Sequence, residues 1–394
     1  MNAGPGAAWK ARLEAGFNQI WWQLPPRAAA WLLLPLSGLY GLLLGLSGWA
    51  RRTGRSDPQT LPVPVLVVGN WVVGGAGKTP TVVAIVQALQ RRGHRPGVIS
   101  RGHGRASGAA DDSIQEVLPT TPVELAGDEP LLIQRRCGVP VWVGSRRAAV
   151  AAALCRAHPE VDVLVSDDGL QHHALRRQAE LVVFDERGAG NGFLLPAGPL
   201  RQPLPKTLAA KTRVLYTAGR QTTHLPGSLA QRSIGTAWPL AAWKAGLSTP
   251  AGPAGQAGQA GQAAQATAAA RQVLEELEAL EAQTGQPGNS VPLSALRGQR
   301  LLAVAGMAAP EKFFGMLQAA GLDIQRLPLP DHHAYNTLPW PAHTLTVITT
   351  EKDAVKLDPQ RLGATAVWVV PLNLVLPDEL IVDLHDLLFP TAPP

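Results

Sequence analysis

The chain has 394 residues, enough for two or three domains with a substantial core. Hydrophobic residues make up 46%, ordinary for a globular protein, which excludes a chain wholly embedded in a membrane. A net charge of +6 suits phosphorylated substrates, anionic lipid or nucleic acid, while two cysteines without zinc-site partners exclude a disulfide framework and fit a reduced compartment.

The first predicted element is apolar. Residues 28–50 hold no charged side chain and lie between Arg27 and Arg51-Arg52. The run is long enough to cross a bilayer, although Pro35, Gly38, Gly41 and Gly45 argue against one straight helix. It does not end in a signal-peptide cleavage site. Trp9, Phe17, Trp21, Trp22 and Trp31 suit a membrane–water interface. The expectation is a membrane-associated helical segment over residues 1–55, spanning or half-inserted, with a buried core hairpin as the alternative.

From residue 56 strands and helices alternate. Strands are predicted at 63–68, 97–100, 139–143, 161–166, 181–185 and 213–217, and helices between them, such as 80–91 and 146–157. Continuous Val/Ile/Leu runs separated by helices predict an α/β fold. Residues 56–218 are expected to form a P-loop NTPase-like parallel sheet with helices on both faces. Ligands of such sheets bind beyond the carboxyl ends of the strands.

The first of these strands runs into VVGGAGKTP, residues 72–80. Backbone N–H groups of Gly74, Gly75, Ala76 and Gly77 can surround the phosphates of a nucleotide. Lys78 can reach the outer phosphates, the Thr79 hydroxyl can ligate Mg²⁺, and Pro80 fits a first helical turn. The usual pattern is G-x-x-x-x-G-K-[ST]; here Val72 stands at its first glycine. Val82, Ile85, Val86 and Leu89 then recur at the spacing of a buried helix face.

GDEP, residues 127–130, reads as a turn and helix cap, with Asp128 capping. DVLVSDDGLQ, residues 162–171, ends an apolar strand in Asp167 and Asp168, carboxylates suited to a metal or substrate opposite a phosphate loop. Adjacent aspartates at a strand end point to opposite sides, so equal roles are not expected. Arg201 follows the Gly198-Pro199 turn and is a candidate phosphate contact. Residues 251–264 repeat Ala-Gly-Gln and predict a flexible insertion, about 250–267, followed by a helix near 268–282. Strands predicted at 300–307, 344–349 and 366–371 make residues 219–394 a second, smaller α/β lobe. Within it PDHH, residues 330–333, sets His332 beside a carboxylate, an arrangement that serves as a base in some sites and is structural in more. No nucleic-acid motif is present, and no obligate protein partner is expected.

Taken in order, VGNWVVGGAGKTP, SRGHGR (100–105), GDEP, SDDGLQHH (166–173), GNGFLLPAGPLRQP (190–203), AGMAAPEKFF (305–314), PDHHAY and TTEKDAVK (349–356) resemble the tetraacyldisaccharide 4′-kinases of lipid A synthesis. The resemblance implies transfer of the ATP γ-phosphoryl group to the 4′-hydroxyl of an acylated glucosamine disaccharide 1-phosphate, with Mg²⁺. It also implies a two-lobed fold at the cytoplasmic face of the bacterial inner membrane, with the nucleotide between the lobes. By position, Lys78 and Thr79 match the phosphate-loop pair, Asp128 the family's base, and His332 its partner. Asp167, Asp168, Gln171 and His172 match the acidic strand end and its polar neighbours, which puts the metal with Thr79, Asp167, Asp168 and Gln171. Arg201 matches the family's arginine. Gln202 stands where a glutamate is usual and brings no charge. The alternative is a membrane-associated P-loop GTPase or ATPase with a non-lipid role. A GTPase needs an N/T-K-x-D motif, and in Thr350-Glu351-Lys352-Asp353 the lysine and aspartate are adjacent.

Overall fold

The computed structural model describes residues 16–53, 61–102, 105, 113–172, 174–246 and 290–390. The Ala-Gly-Gln repeat, the helix expected near 268–282 and Trp9 lie outside the described residues.

The first sheet is built from β1 (Val65–Gly69), β2 (Pro96–Ser100), β3 (Gln115–Glu116), β4 (Val141–Val143), β5 (Val163–Asp167), β6 (Ala179–Phe184), β7 (Thr212–Tyr216) and β8 (Ser228–Leu229). Its order is β3-β4-β2-β5-β1-β6-β7-β8, and every pairing is parallel except β3 with β4. β1, β2 and β5 are buried at every position, as strands covered on both faces must be. On one face Val82, Ile85, Val86 and Leu89 of the Lys78–Arg91 helix pack with Leu66 and Val68. On the other, Val150, Ala151 and Leu154 of the Arg147–Ala157 helix pack with Val65 and Val67. Each valine, leucine or isoleucine among them contributes about 1.5–3 kcal/mol when removed from water.

The remaining strands are β9 (Gln231–Ile234), β10 (Trp238–Pro239), β11 (Leu301–Ala305), β12 (Ile324–Pro328), β13 (Thr346–Thr350), β14 (Ala366–Val370) and β15 (Leu372–Val375). The second sheet runs β10-β14-β13-β11-β12, parallel except for β10 with β14, while β15 and β9 form an antiparallel ribbon. Phe313, Phe314 and Leu317 of the Pro310–Ala319 helix pack on Leu301, Ala303, Ile348 and Trp368. One apolar cluster joins Leu66 and Val68 to Val304, Val347 and Val369, so the two large sheets share a core. Ion pairs cross the seam as well: Arg136 to Glu351 at 2.6 Å, and Lys312 to Asp185 at 3.5 Å.

The apolar N-terminal run is broken into two helices, Ala28–Leu32 and Leu34–Thr53. Among the described residues no helix is long and apolar enough to cross a membrane. Ser37, Gly38, Gly41, Gly45, Ser47 and Gly48 dilute the hydropathy of the longer one. That helix has two different faces. Ser37 Oγ donates to the Leu194 carbonyl at 2.8 Å and Tyr40 Oη to the Arg201 carbonyl at 2.9 Å. Opposite them, Leu36, Leu39, Leu42, Leu43 and Leu46 are each more than half exposed.

Candidate active site

The phosphate loop is held at both ends by backbone geometry. Gly77, at φ +86°, precedes the Lys78–Arg91 helix, in a conformation that a side chain disfavours. Val72 is fully buried and bridges Leu200; Val73 N–H donates to the Pro199 carbonyl at 2.9 Å, and Arg201 N–H to that of Trp71 at 2.8 Å. The loop's first half is thus a short ladder with the segment carrying Arg201, which accounts for valine at the first glycine of the pattern. The Asn70 amide donates to the Gly74 carbonyl at 3.0 Å and accepts from Lys78 Nζ at 3.3 Å. Arg187 donates Nη2 to the Gly75 carbonyl at 2.6 Å, pairs with buried Asp185 and stacks on Trp22 at 4.4 Å.

β5 lies between β1 and β2, so its carboxyl end emerges beside the loop. The two aspartates there diverge, as expected of adjacent residues. Asp167 is buried and accepts from Ser100 Oγ at 3.2 Å, while its Oδ1 has no hydrogen-bond partner among the described residues. Burial, then the Glu129 and Asp168 charges, push its pKa up. Asp168 sits at φ +49° and pairs with Lys78 Nζ at 3.3 Å and Arg201 Nη1 at 3.5 Å. Gln171 spends both ends of its amide on protein partners: Nε2 donates to the Asn70 carbonyl at 3.2 Å and Oε1 accepts from Arg201 at 3.4 Å. The amide expected to ligate the metal thus also ties the Arg201 side chain to the loop. Burial, with Arg147 and Arg101 nearby, lowers the His172 pKa to about 4, so its ring is neutral.

Asp128 differs from the sequence reading. Gly127 is the N-cap of the Asp128–Cys137 helix and Asp128 its first residue. The carboxylate accepts from the Glu129 N–H at 3.0 Å and turns to His332, whose Nδ1 lies 3.0 and 2.9 Å from its two oxygens. Burial opposes the charged carboxylate, but the His332 hydrogen bond and the Lys352, His332 and Lys356 charges outweigh it and hold its pKa low. The same hydrogen bond raises the pKa of His332. His332 has φ +58°. It and Asp168 are two of the three non-glycine residues with positive φ among those described, a strain of about 1–3 kcal/mol each that marks pre-organised sites. Lys352 bonds Asp331 at 2.8 Å and pairs with Glu129 at 3.4 Å, closing the rim.

A cleft of about 1060 Å³ lies between the carboxyl ends of the two large sheets. Gly74, Gly75, Gly77, Lys78, Thr79, Pro80, Asp167, Asp168, Gln171 and Arg201 line one side; His332, Lys352 and Lys312 line the other. Asp128 is 4% exposed and stands behind His332. Gln202 does not line the cleft. The cleft suits a divalent cation: the buried, unpartnered Asp167 Oδ1, the Asp168 carboxylate and the Thr79 hydroxyl are hard oxygen donors. Among the described residues no group of three or more His, Cys, Asp or Glu converges on one point, so water or ligand oxygens would complete the coordination. The sequence reading gave Asn70, Arg187, Ser100 and Lys352 no role in this site. Asn70, Ser100 and Lys352 sit inside matched motifs; Arg187 carries no local signal.

A family model described as tetraacyldisaccharide-1-P 4′-kinase matches residues 29–388. The tetraacyldisaccharide 4′-kinase of Methylibium petroleiphilum is 45% identical over 100% of this chain and 99% of that protein. That of Leptothrix cholodnii is 45% identical over 95% of each. Among solved structures, the "apo" form of LpxK from Aquifex aeolicus in complex with ATP has a TM-score of 0.66 and 23% identity, covering 92% of this chain and 100% of that one, a likeness of fold.

Proposed function

The chain belongs to the tetraacyldisaccharide-1-P 4′-kinase family, and on that premise we propose how its cleft works. The protein transfers the γ-phosphoryl group of ATP to the 4′-hydroxyl of a tetraacyl glucosamine disaccharide 1-phosphate in lipid A synthesis. The observation that carries the site assignment is the opposition, across one cleft, of a phosphate loop and a histidine–carboxylate pair.

In this reading residues 56–218 are the kinase core and 219–394 the smaller lobe. Loop amides from Gly74 to Gly77 and the start of the Lys78–Arg91 helix hold the β- and γ-phosphates. Lys78 and Arg201 meet charge developing on the transferred group. Thr79, Asp167 and Asp168 would hold Mg²⁺, which supplies further charge stabilisation at the phosphates when bound. Gln171 is assigned to positioning Arg201 instead.

The 4′-hydroxyl oxygen bonds to the γ-phosphorus as the bond to the β–γ bridging oxygen breaks, and ADP leaves. The hydroxyl proton goes to the Asp128–His332 pair. His332 is its cleft-lining member. With Nδ1 facing Asp128, the neutral ring offers Nε2 to the acceptor. Asp128 holds that tautomer and stabilises the imidazolium that forms, a division of labour known from other histidine–carboxylate pairs.

The exposed leucines of the Leu34–Thr53 helix support docking on the cytoplasmic face of the inner membrane, half-inserted rather than spanning. Such docking delivers a substrate that is itself anchored by acyl chains. The test is direct: with detergent-dispersed lipid disaccharide, ATP and Mg²⁺, the product gains one phosphate by mass spectrometry. No mass gain with an authentic acceptor, or GTP serving as well as ATP, would overturn the reading.

A further inference from the structure

Lys356 is a buried cation that the scheme above leaves unused. Its side chain is 5% exposed, and Nζ lies 3.6 Å from Asp128 Oδ2 and 3.4 Å from Asp353 Oδ1. The Tyr335 ring covers it at 5.4 Å. Nζ makes no hydrogen bond to a described residue, so it acts on its neighbours as a charge. Asp353 is itself fixed, its Oδ2 accepting from the Gly306 N–H at 2.9 Å and Thr350 Oγ1 at 2.8 Å. Lys356 is thereby anchored to the second sheet and aimed at a carboxylate of the first. Asp128 Oδ2 thus lies within reach of both His332 Nδ1, at 2.9 Å, and Lys356 Nζ, at 3.6 Å.

A carboxylate this deeply buried favours its neutral form unless cations surround it. The charged groups about Asp128 are His332 and Asp331 from the loop after β12, Lys352, Asp353 and Lys356 after β13, and Glu129 beside it. Lys352 also acts on Asp128 by its charge but is bonded to Asp331 and paired with Glu129, whereas Lys356 lies directly between Asp128 and Asp353.

We propose that Lys356 is a positioning residue for the proton-accepting pair: its ammonium keeps the Asp128 carboxylate ionised and turned toward His332. This rests on the pair being the proton acceptor. Without that charge the pair as a whole would hold its proton more tightly, so it would be free to accept another only at higher pH.

The test is the pH profile of kcat/KM. Lys356→Met should move the acid limb upward by about one pH unit or more, the effect of removing an opposite charge within ~4–6 Å. Activity below the limb then falls about tenfold for each pH unit that the limb moves, while KM for ATP stays near that of the parent. Asp128→Asn should move the limb the other way. Lys356→Arg keeps the charge and should restore the parental limb. If the methionine variant does not fold, Lys356→Gln carries the same comparison. An unmoved limb in a folded neutral variant, or an equal displacement in Lys356→Arg, overturns the role of Lys356. If Asp128→Asn and His332→Ala keep parental kcat, the pair is not the acceptor, and it is the assignment of the base that falls.

Discussion

His332 Nδ1 lies within 3.0 Å of both carboxylate oxygens of Asp128, although 204 positions separate the two residues and they sit on opposite sides of the seam between the large sheets. The pair is therefore a tertiary object, made by packing the second sheet against the first. Most of what can be tested about the chemistry runs through it.

Removing either member should act on kcat. Asp128→Asn and His332→Ala are each expected to lower kcat roughly 10²–10⁴-fold, the usual range for general-base loss. Nucleotide binding should change little, because neither residue touches the phosphate loop. The double variant should be little worse than the singles, since the two act as a unit. Steady-state kinetics with a fluorescent-nucleotide titration checks this; collapse of ATP binding in Asp128→Asn would make Asp128 a nucleotide ligand.

The pair also predicts a pH profile. His332 must be neutral to accept a proton, and its Asp128 hydrogen bond raises its pKa above the ordinary 6.5. Activity should therefore rise with pH through a value above 6.5 and be lost as pH falls below it. Asp128→Asn removes the anion and should bring the limb down toward the ordinary histidine range. A limb at ordinary carboxylate pH in the parent would transfer the proton-accepting role from His332 to Asp128.

Asp167 should control the metal requirement. Its Oδ1 is buried and without a hydrogen-bond partner among the described residues, while Oδ2 is held by Ser100. Asp167→Asn should raise the Mg²⁺ concentration for half-maximal activity about tenfold or more. Binding of metal-free ATP should be far less affected. Equal Mg²⁺ dependence in variant and parent would remove Asp167 from the metal site.

The membrane prediction concerns one stripe of side chains. Leu36 and Leu43 lie on the exposed face of the Leu34–Thr53 helix, each more than half exposed. Each contributes about 1.5–3 kcal/mol when buried in an apolar phase. Leu36→Glu with Leu43→Glu should release the protein from anionic phospholipid vesicles in a flotation assay. Turnover of a short-chain, water-soluble acceptor should persist. Undiminished flotation would show that this face is not the docking surface.

Local chemistry explains which features could be read from sequence. The β1–loop–helix unit is legible because glycines, a lysine and an apolar period of 3.6 all act within about 25 residues. Asp167 and Asp168 are legible because they close an apolar strand. Asp128 is not, since GDEP carries the same signal as a helix cap; only the ordered set of family motifs tied it to His332. Val72 looked like a missing glycine because its bridge to Leu200 joins distant segments. Lys356 closes the matched TTEKDAVK motif, but its role could not be read there, because it lies in a burial that no short window shows. The N-terminal run announced its apolarity, but its break near Leu33 and its bonds to Leu194 and Arg201 depend on the surface it packs against.

With the membrane docking proposed above, those bonds would make the helix a depth gauge. Tyr40 holds the Arg201 carbonyl, and the Arg201 N–H in turn holds the Trp71 carbonyl at the mouth of the phosphate loop. If the leucine face rests in the headgroup layer, one side-chain and one backbone link would set how high the reacting phosphate stands above it. The match between that height and the protrusion of the sugar hydroxyl would then select among acceptors before any sugar contact is made. Tyr40→Phe, which cuts one link and leaves the cleft intact, should loosen that selection toward acceptors whose hydroxyl stands nearer to or further from the bilayer, measured as relative kcat/KM on vesicle-borne substrates; an unchanged ranking would deny the gauge.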